Sequence, residues 1–159
     1  MTRRPPSADW PAAVGAAAGH RVGVPAALLG RYTAMVQDAA RTGRRLTRAE
    51  IGELRGYGMT AARDAVPLDR LTELYLAATE LAWTELGRPA RATAAEVWST
   101  GAAVLAVARR AVSAVAEGFG ESQRRAVADE ETVRQEFIDD LLQGRRNPDC
   151  CPSARNGSA

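Results

Sequence analysis

Few residues of this chain have side chains suited to chemistry, and their spacing does not bring them together. His20 is the single histidine, and Cys150 and Cys151 are the only cysteines. A Ser-His-Asp or Cys-His device needs a base held beside a nucleophile, and a haem or metal ligand needs a packed element and supporting hydrogen bonds behind it. His20 lies in a Gly- and Ala-rich head next to Gly19, and the two thiols are adjacent in the tail, so neither requirement is met. Adjacent thiols cannot staple a fold, and no second Cys or His pair stands at a zinc spacing. Carboxylates neighbour each other at Glu130/Glu131 and Asp139/Asp140. On a helix such neighbours point about 100° apart, which fits a solvated face and not a paired acid and base. The glycine stretches Gly56-Tyr57-Gly58 and Gly118-Phe119-Gly120 lack the lysine or strand context of a phosphate loop. No catalytic, cofactor-binding or metal-binding residue is assigned, and the chain is not expected to be an enzyme.

Two features imitate nucleic-acid chemistry. Arg41, Arg44 and Arg45 cluster where a helix ends, and positive charge there complements the helix dipole. LTRAEIGELRGYGMTAARDAV, residues 46 to 66, reads as helix, glycine turn, helix, with Gly58-Met59-Thr60 as the turn. A DNA-reading helix would begin at Thr60, but Pro67 cuts it to about seven residues and only Arg63 offers a base-directed cation. A small DNA-binding protein using residues 47 to 66 is therefore the weakest of three readings, and direct DNA binding is not expected.

The elements that would have to carry any site are all helices. Alanine supplies much of the 46% hydrophobic content and aromatics only 5%, which favours close-packed helices over strands. A first helix is expected from Pro25 to Gly43 through Leu28, Tyr32, Met35, Val36 and Ala39. Thr47 and Glu50 form a capping box that starts a second, which should weaken or bend at Gly56 and Gly58. From Pro67 to Leu86 a third presents Leu68, Leu71, Leu74, Tyr75, Ala78, Ala82 and Leu86 on one face, with Leu76 and Trp83 on its flank. Thr93 and Glu96 repeat the capping pattern at the start of a fourth, whose apolar face carries Val97, Gly101, Val104, Leu105, Ala108, Val112, Val115 and Phe119, with Trp98 beside it. That pattern persists to about residue 143, as one long helix or as two joined by a kink at Gly118 and Gly120. The fold class is all-α, a four- to five-helix bundle with a long C-terminal helix.

Composition narrows the setting. The 159 residues suit one domain, and a net charge of +2 does not by itself mark a nucleic-acid surface. All 21 basic residues are arginine, which with the alanine content points to a GC-rich, bacterial genome. No apolar run approaches the roughly 20 residues of a membrane span. The head, residues 1 to 23, holds three prolines and three glycines but no continuous apolar stretch, so it reads as a disordered cytoplasmic tail and not a signal peptide.

GMTAARDAVPLDRLTELYLAATELAWTEL, with the long final helix, resembles the N-terminal helical sensor region of PucR/CdaR-type transcriptional regulators. It is also similar to the N-terminal domain of RsbR-type stressosome co-antagonists. Gly58, Ala61, Ala62, Val66, Pro67, Leu68, Leu71 and Trp83 carry the match, and Ala65 departs from it where the family pattern has glycine. The likeness covers roughly residues 24 to 144. It implies a four-helix or globin-like domain without haem, which dimerises and passes the state of a small-molecule effector or regulatory protein down its last helix. In such regulators a segment like EETVRQEFIDDLLQGR leads to a middle domain and then a DNA-binding helix-turn-helix. Here only RRNPDCCPSARNGSA follows, so the chain reads as the sensor half of a truncated regulator, with a stand-alone stressosome-type partner-binding protein as the alternative.

The expected organisation is a disordered tail over 1–23, a sensor and dimerisation domain over 24–118, a connector helix over 119–144 and a second disordered tail over 145–159. A homodimer is expected through the last helix, with Trp98, Val104, Leu105, Val112, Val115, Phe119, Val133, Phe137, Ile138 and Leu141 divided between the monomer core and the partner. Acid-before-base pairs such as Glu130–Arg134 support its second half by only a few tenths of a kcal/mol each, so its apolar residues must find burial elsewhere.

Overall fold

A computed structural model describes residues 10–86 and 92–144. Five α-helices follow in order: α1 (Trp10–Val22), α2 (Tyr32–Thr42), α3 (Arg48–Arg63), α4 (Leu68–Leu86) and α5 (Ala94–Gly144), with a 3-10 turn at Ala26–Leu29 before α2. No strand occurs among the described residues. The chain divides into two units, one through Gln123 and one from Arg124 onward.

The first departure from expectation is α1. Residues 10–22 form a helix whose Trp10, Val14, Ala18 and Val22 are buried, so the described head packs one face into the core. Pro11 is tolerated because it sits in the first turn, where its missing N–H has no intrahelical partner to lose. Packed length comes from α4, and Arg70 of that helix donates from Nη2 to the Val22 carbonyl at 2.8 Å, satisfying an orphan acceptor at the α1 C-terminus.

A single helix from Pro25 to Gly43 does not form either. Gly30 adopts φ 51°, and a Cβ there would overlap the Tyr57 ring, so the chain breaks between the 3-10 turn and α2. The capping boxes appear as their spacing predicts. Thr47 Oγ1 accepts from the Glu50 N–H at 3.2 Å while the Thr47 N–H donates to Glu50 Oε2 at 2.8 Å. At α5 the Thr93 N–H donates to Glu96 Oε2 at 2.7 Å, and the Glu96 N–H returns to Thr93 Oγ1 at 3.3 Å.

Gly56 and Gly58 do not interrupt α3, which runs unbroken to Arg63. Gly58 instead lies against the backbone of α5. A Cβ built on it would overlap the Val115 carbonyl oxygen and come within 2.9 Å of the Phe119 nitrogen. Reciprocally, a Cβ on Gly118 would overlap the Arg55 carbonyl. The two helices therefore cross backbone to backbone, with Arg55 and Glu117 ion-paired beside the crossing. Because α3 continues through Gly58-Met59-Thr60, the helix-turn-helix that residues 46–66 imitate in sequence is not formed.

Helix α3 ends in a left-handed residue. Ala65 has φ 55°, and the Val66 N–H reaches back to the Ala61 carbonyl at 2.9 Å, a Schellman-type closure. This is the position where the resemblance expects glycine, and alanine holds the left-handed backbone here at a strain of about 1 kcal/mol.

Arg44 is fully engaged in structure. Its guanidinium contacts Asp38 at 3.0 Å and Glu50 at 2.8 Å, tying the end of α2 to the start of α3. Hydrogen bonds from Arg44 hold the Glu50 carboxyl at about 2, below its ordinary 4.5, against the opposing effect of burial. With the folded value lower than the unfolded one, this stabilisation is present above about pH 4.5 and is lost as pH falls towards 2. Glu50→Gln should lower unfolding free energy at neutral pH by about 2 kcal/mol, allowing for partial screening at Arg44. Urea titrations of both proteins should converge near pH 2, and a constant difference across the range would assign the effect to something other than the charge.

Candidate functional site

The core of the first unit leaves one face of α4 and of the first half of α5 uncovered. On α5, residues Val104, Val107, Ala111, Ala114 and Val115 face inward at helical spacing, as do Leu71, Leu74, Tyr75, Ala78 and Ala82 on α4. Each helix carries a second apolar stripe seven residues apart, Leu76 and Trp83 on one, Trp98 and Leu105 on the other. Seven residues is nearly two turns, so each pair shares a face. The two stripes border an open apolar groove of about 720 Å³. Its rim is strongly exposed: Trp98 80%, Leu105 67%, Leu76 54% and Trp83 40%. The Trp83 ring reaches across to α5, where a Cβ on Gly101 would lie 3.6 Å from it.

Beneath the groove lies a buried polar chain. Thr79, which lines the groove, donates from Oγ1 to the Tyr75 carbonyl at 2.7 Å and is 2.6 Å from the Tyr32 hydroxyl. The Tyr75 hydroxyl donates to the Leu28 carbonyl at 2.8 Å, and the two tyrosine rings stack obliquely with centroids 4.8 Å apart. Burial pushes the Tyr32 hydroxyl up to about 12 despite the Thr79 hydrogen bond, and burial likewise raises Tyr75. Both stay protonated donors that fix α4 to the 3-10 turn and α2, and neither is poised for proton transfer.

No family model, curated protein or solved structure matches the chain.

The residues expected on the dimer and core helix separate cleanly. Val104, Val115 and Phe119 are buried, Val112 is half-buried, and Trp98 and Leu105 stand at the groove. Phe119 thus belongs to the packed unit, which extends past the expected boundary at 118. In the second unit, Val133, Phe137, Ile138 and Leu141 are all exposed. Of the resemblance residues, Gly58 makes the helix crossing, and Ala61 and Leu71 are buried. Ala62, Val66 and Leu68 pack partly against the core, Pro67 is exposed ahead of α4, and Trp83 alone reaches the groove.

His20 is an exposed residue of α1, not of an unstructured head, and lies away from any cluster of metal-binding side chains among the described residues. Glu130, Glu131 and Asp139 are exposed on α5, while Cys150 and Cys151 lie outside the described residues. No described helix is long and apolar enough to cross a membrane. Among the described residues, the groove presents an apolar surface with two indoles and one carboxylate, Glu80.

Proposed function

We propose that this chain is a regulatory, non-catalytic helical module of PucR-like ancestry that self-associates through the C-terminal segment of α5. The supporting observation is the surface of residues 124–144. Val127, Val133, Phe137, Ile138 and Leu141 are between 48% and 65% exposed, among exposed residues that are charged, polar or small. At 100° per residue, Val133, Phe137, Leu141, Val127 and Ile138 fall within one broad face, interrupted by Glu130 and Arg134. Paired in two copies, these side chains offer a gross gain on the order of 10 kcal/mol. The entropic cost of association runs from about 4 kcal/mol upward, which leaves about 6 kcal/mol at most, so a dimer with a Kd of tens of micromolar or above is expected. The polar interruptions select a register at some cost in affinity.

Sedimentation equilibrium at roughly hundreds of micromolar should give a dimer for the full chain and a monomer for a version ending at Gln123, where the packed unit ends. Leu141→Glu should weaken the dimer without altering the first unit. Two monomers in that comparison would sink the reading.

A further inference from the structure

We propose that the α4–α5 groove binds a small organic cation with an apolar or aromatic body, of the alkyl- or arylammonium class. This goes beyond the association reading and does not rest on it.

Three observations converge on that chemistry. Trp83 and Trp98 border one groove, and indole faces are the strongest side-chain partners for an ammonium group. Glu80 is the only charged residue among the described lining residues, so the field in the groove favours a cation. The hydroxyl of Thr79 gives its proton inward to the Tyr75 carbonyl. Apart from the indole N–H groups, no side-chain donor among the described lining residues is left to greet an anion. A fatty acid or a phosphate ester would find no basic side chain among the described lining residues, and the Arg21 guanidinium beside them is already paired with Glu80. The volume of about 720 Å³ suits a metabolite-sized molecule.

The groove also carries an internal stand-in for such a ligand. Arg21 of α1 reaches Glu80 Oε2 at 3.2 Å, with the two side chains 54% and 65% exposed. An ion pair so open to water contributes little and is readily exchanged. A bound ammonium would share or replace the Arg21 guanidinium at that carboxylate while its apolar body covers Leu76 and Leu105. Glu80 is then the residue that distinguishes a cation from a neutral molecule of the same shape.

The test uses the full chain and follows the three indole N–H signals by nitrogen-edited NMR. Benzyltrimethylammonium is the probe, with its neutral carbon isostere neopentylbenzene and the anion phenylacetate as comparators. Trp83 and Trp98 should shift on titration, while Trp10, buried at 4% exposure in the core, should not. The cation should bind about ten-fold more tightly than the isostere. Glu80→Gln should abolish that preference, and Arg21→Ala should tighten cation binding by removing the competitor. Both sites are exposed, so the variants keep the fold, which the unmoved Trp10 signal verifies. Equal binding of the isostere, tighter binding of phenylacetate, or no shift of Trp83 and Trp98 at millimolar probe overturns the proposal. Because the signals report binding in monomer or dimer alike, failure here leaves the sedimentation result standing, and the reverse holds.

Discussion

Gly58→Ala is expected to lower the unfolding free energy by about 3 kcal/mol, the opposite of what alanine does in most helices. Glycine inside a helix costs up to about 1 kcal/mol relative to alanine, so propensity alone predicts stabilisation. Space reverses the sign. The added Cβ would meet the Val115 carbonyl and the Phe119 nitrogen, which are α5 backbone and cannot rotate away as a side chain would. Helices α3 and α5 must then separate, loosening Leu54, Ala61 and Val115 together. The control lies two residues away in the same helix. Gly56 and Gly52 have no atom within 4 Å of a built Cβ, so Gly56→Ala should stabilise by up to about 1 kcal/mol. Chemical denaturation of the two variants decides the matter. If Gly58→Ala is as stable as Gly56→Ala, the backbone contact does not exist in solution.

That contrast explains how much of the molecule was legible in the residues. Local devices were readable because their causes are local: the Thr47–Glu50 and Thr93–Glu96 boxes, the inward face of α4 and the helical run after Thr93 all form. Gly58 was misread because a glycine that makes a turn and a glycine that admits another backbone leave the same mark in a sequence. Only the partner helix distinguishes them. The groove was half visible for the same reason. Leu76, Trp83 and Trp98 stood off the main apolar faces, but nothing in one helix says that a second stripe borders a cavity with its neighbour. The heptad spacing of Leu76 with Trp83, and of Trp98 with Leu105, was the available signal. Tyr32 and Tyr75 were placed on apolar faces correctly, yet their shared polar chain with Thr79 needs the tertiary pairing to be seen.

A chain beginning at Val24 is expected to lose cooperative folding, although composition marks residues 1–23 as dispensable. The head looked unstructured because alanine and glycine dilute its apolar residues and proline interrupts them. The signal was present in spacing: Trp10, Val14, Ala18 and Val22 recur every four residues, and their exposures are 4%, 4%, 0% and 3%. Small residues let that helix lie close to its neighbours, with a Cβ on Gly15 falling 3.7 Å from Leu29 Cδ1. Burying one tryptophan and two valines contributes roughly 1.5–3 kcal/mol each, and the α4 surface uncovered by the deletion adds a similar amount. The sum, roughly 10 kcal/mol or more, is comparable with the whole stability of a domain this size, about 5–15 kcal/mol. Loss of Arg70's bond to the Val22 carbonyl and of the Arg21–Glu80 pair adds little beside it. Thermal unfolding followed by circular dichroism should show a sharp transition for the full chain and a broad, low-amplitude one for the shortened chain. Trp10→Ala, at a cost of about 3–5 kcal/mol, should fall between them. Trp10→Phe should cost less than Trp10→Ala, because it keeps a ring in the site and removes an indole N–H that has no hydrogen-bond partner among the described residues. A shortened chain that melts at the full chain's midpoint would place α1 outside the cooperative unit and return the head to the tail that its composition describes.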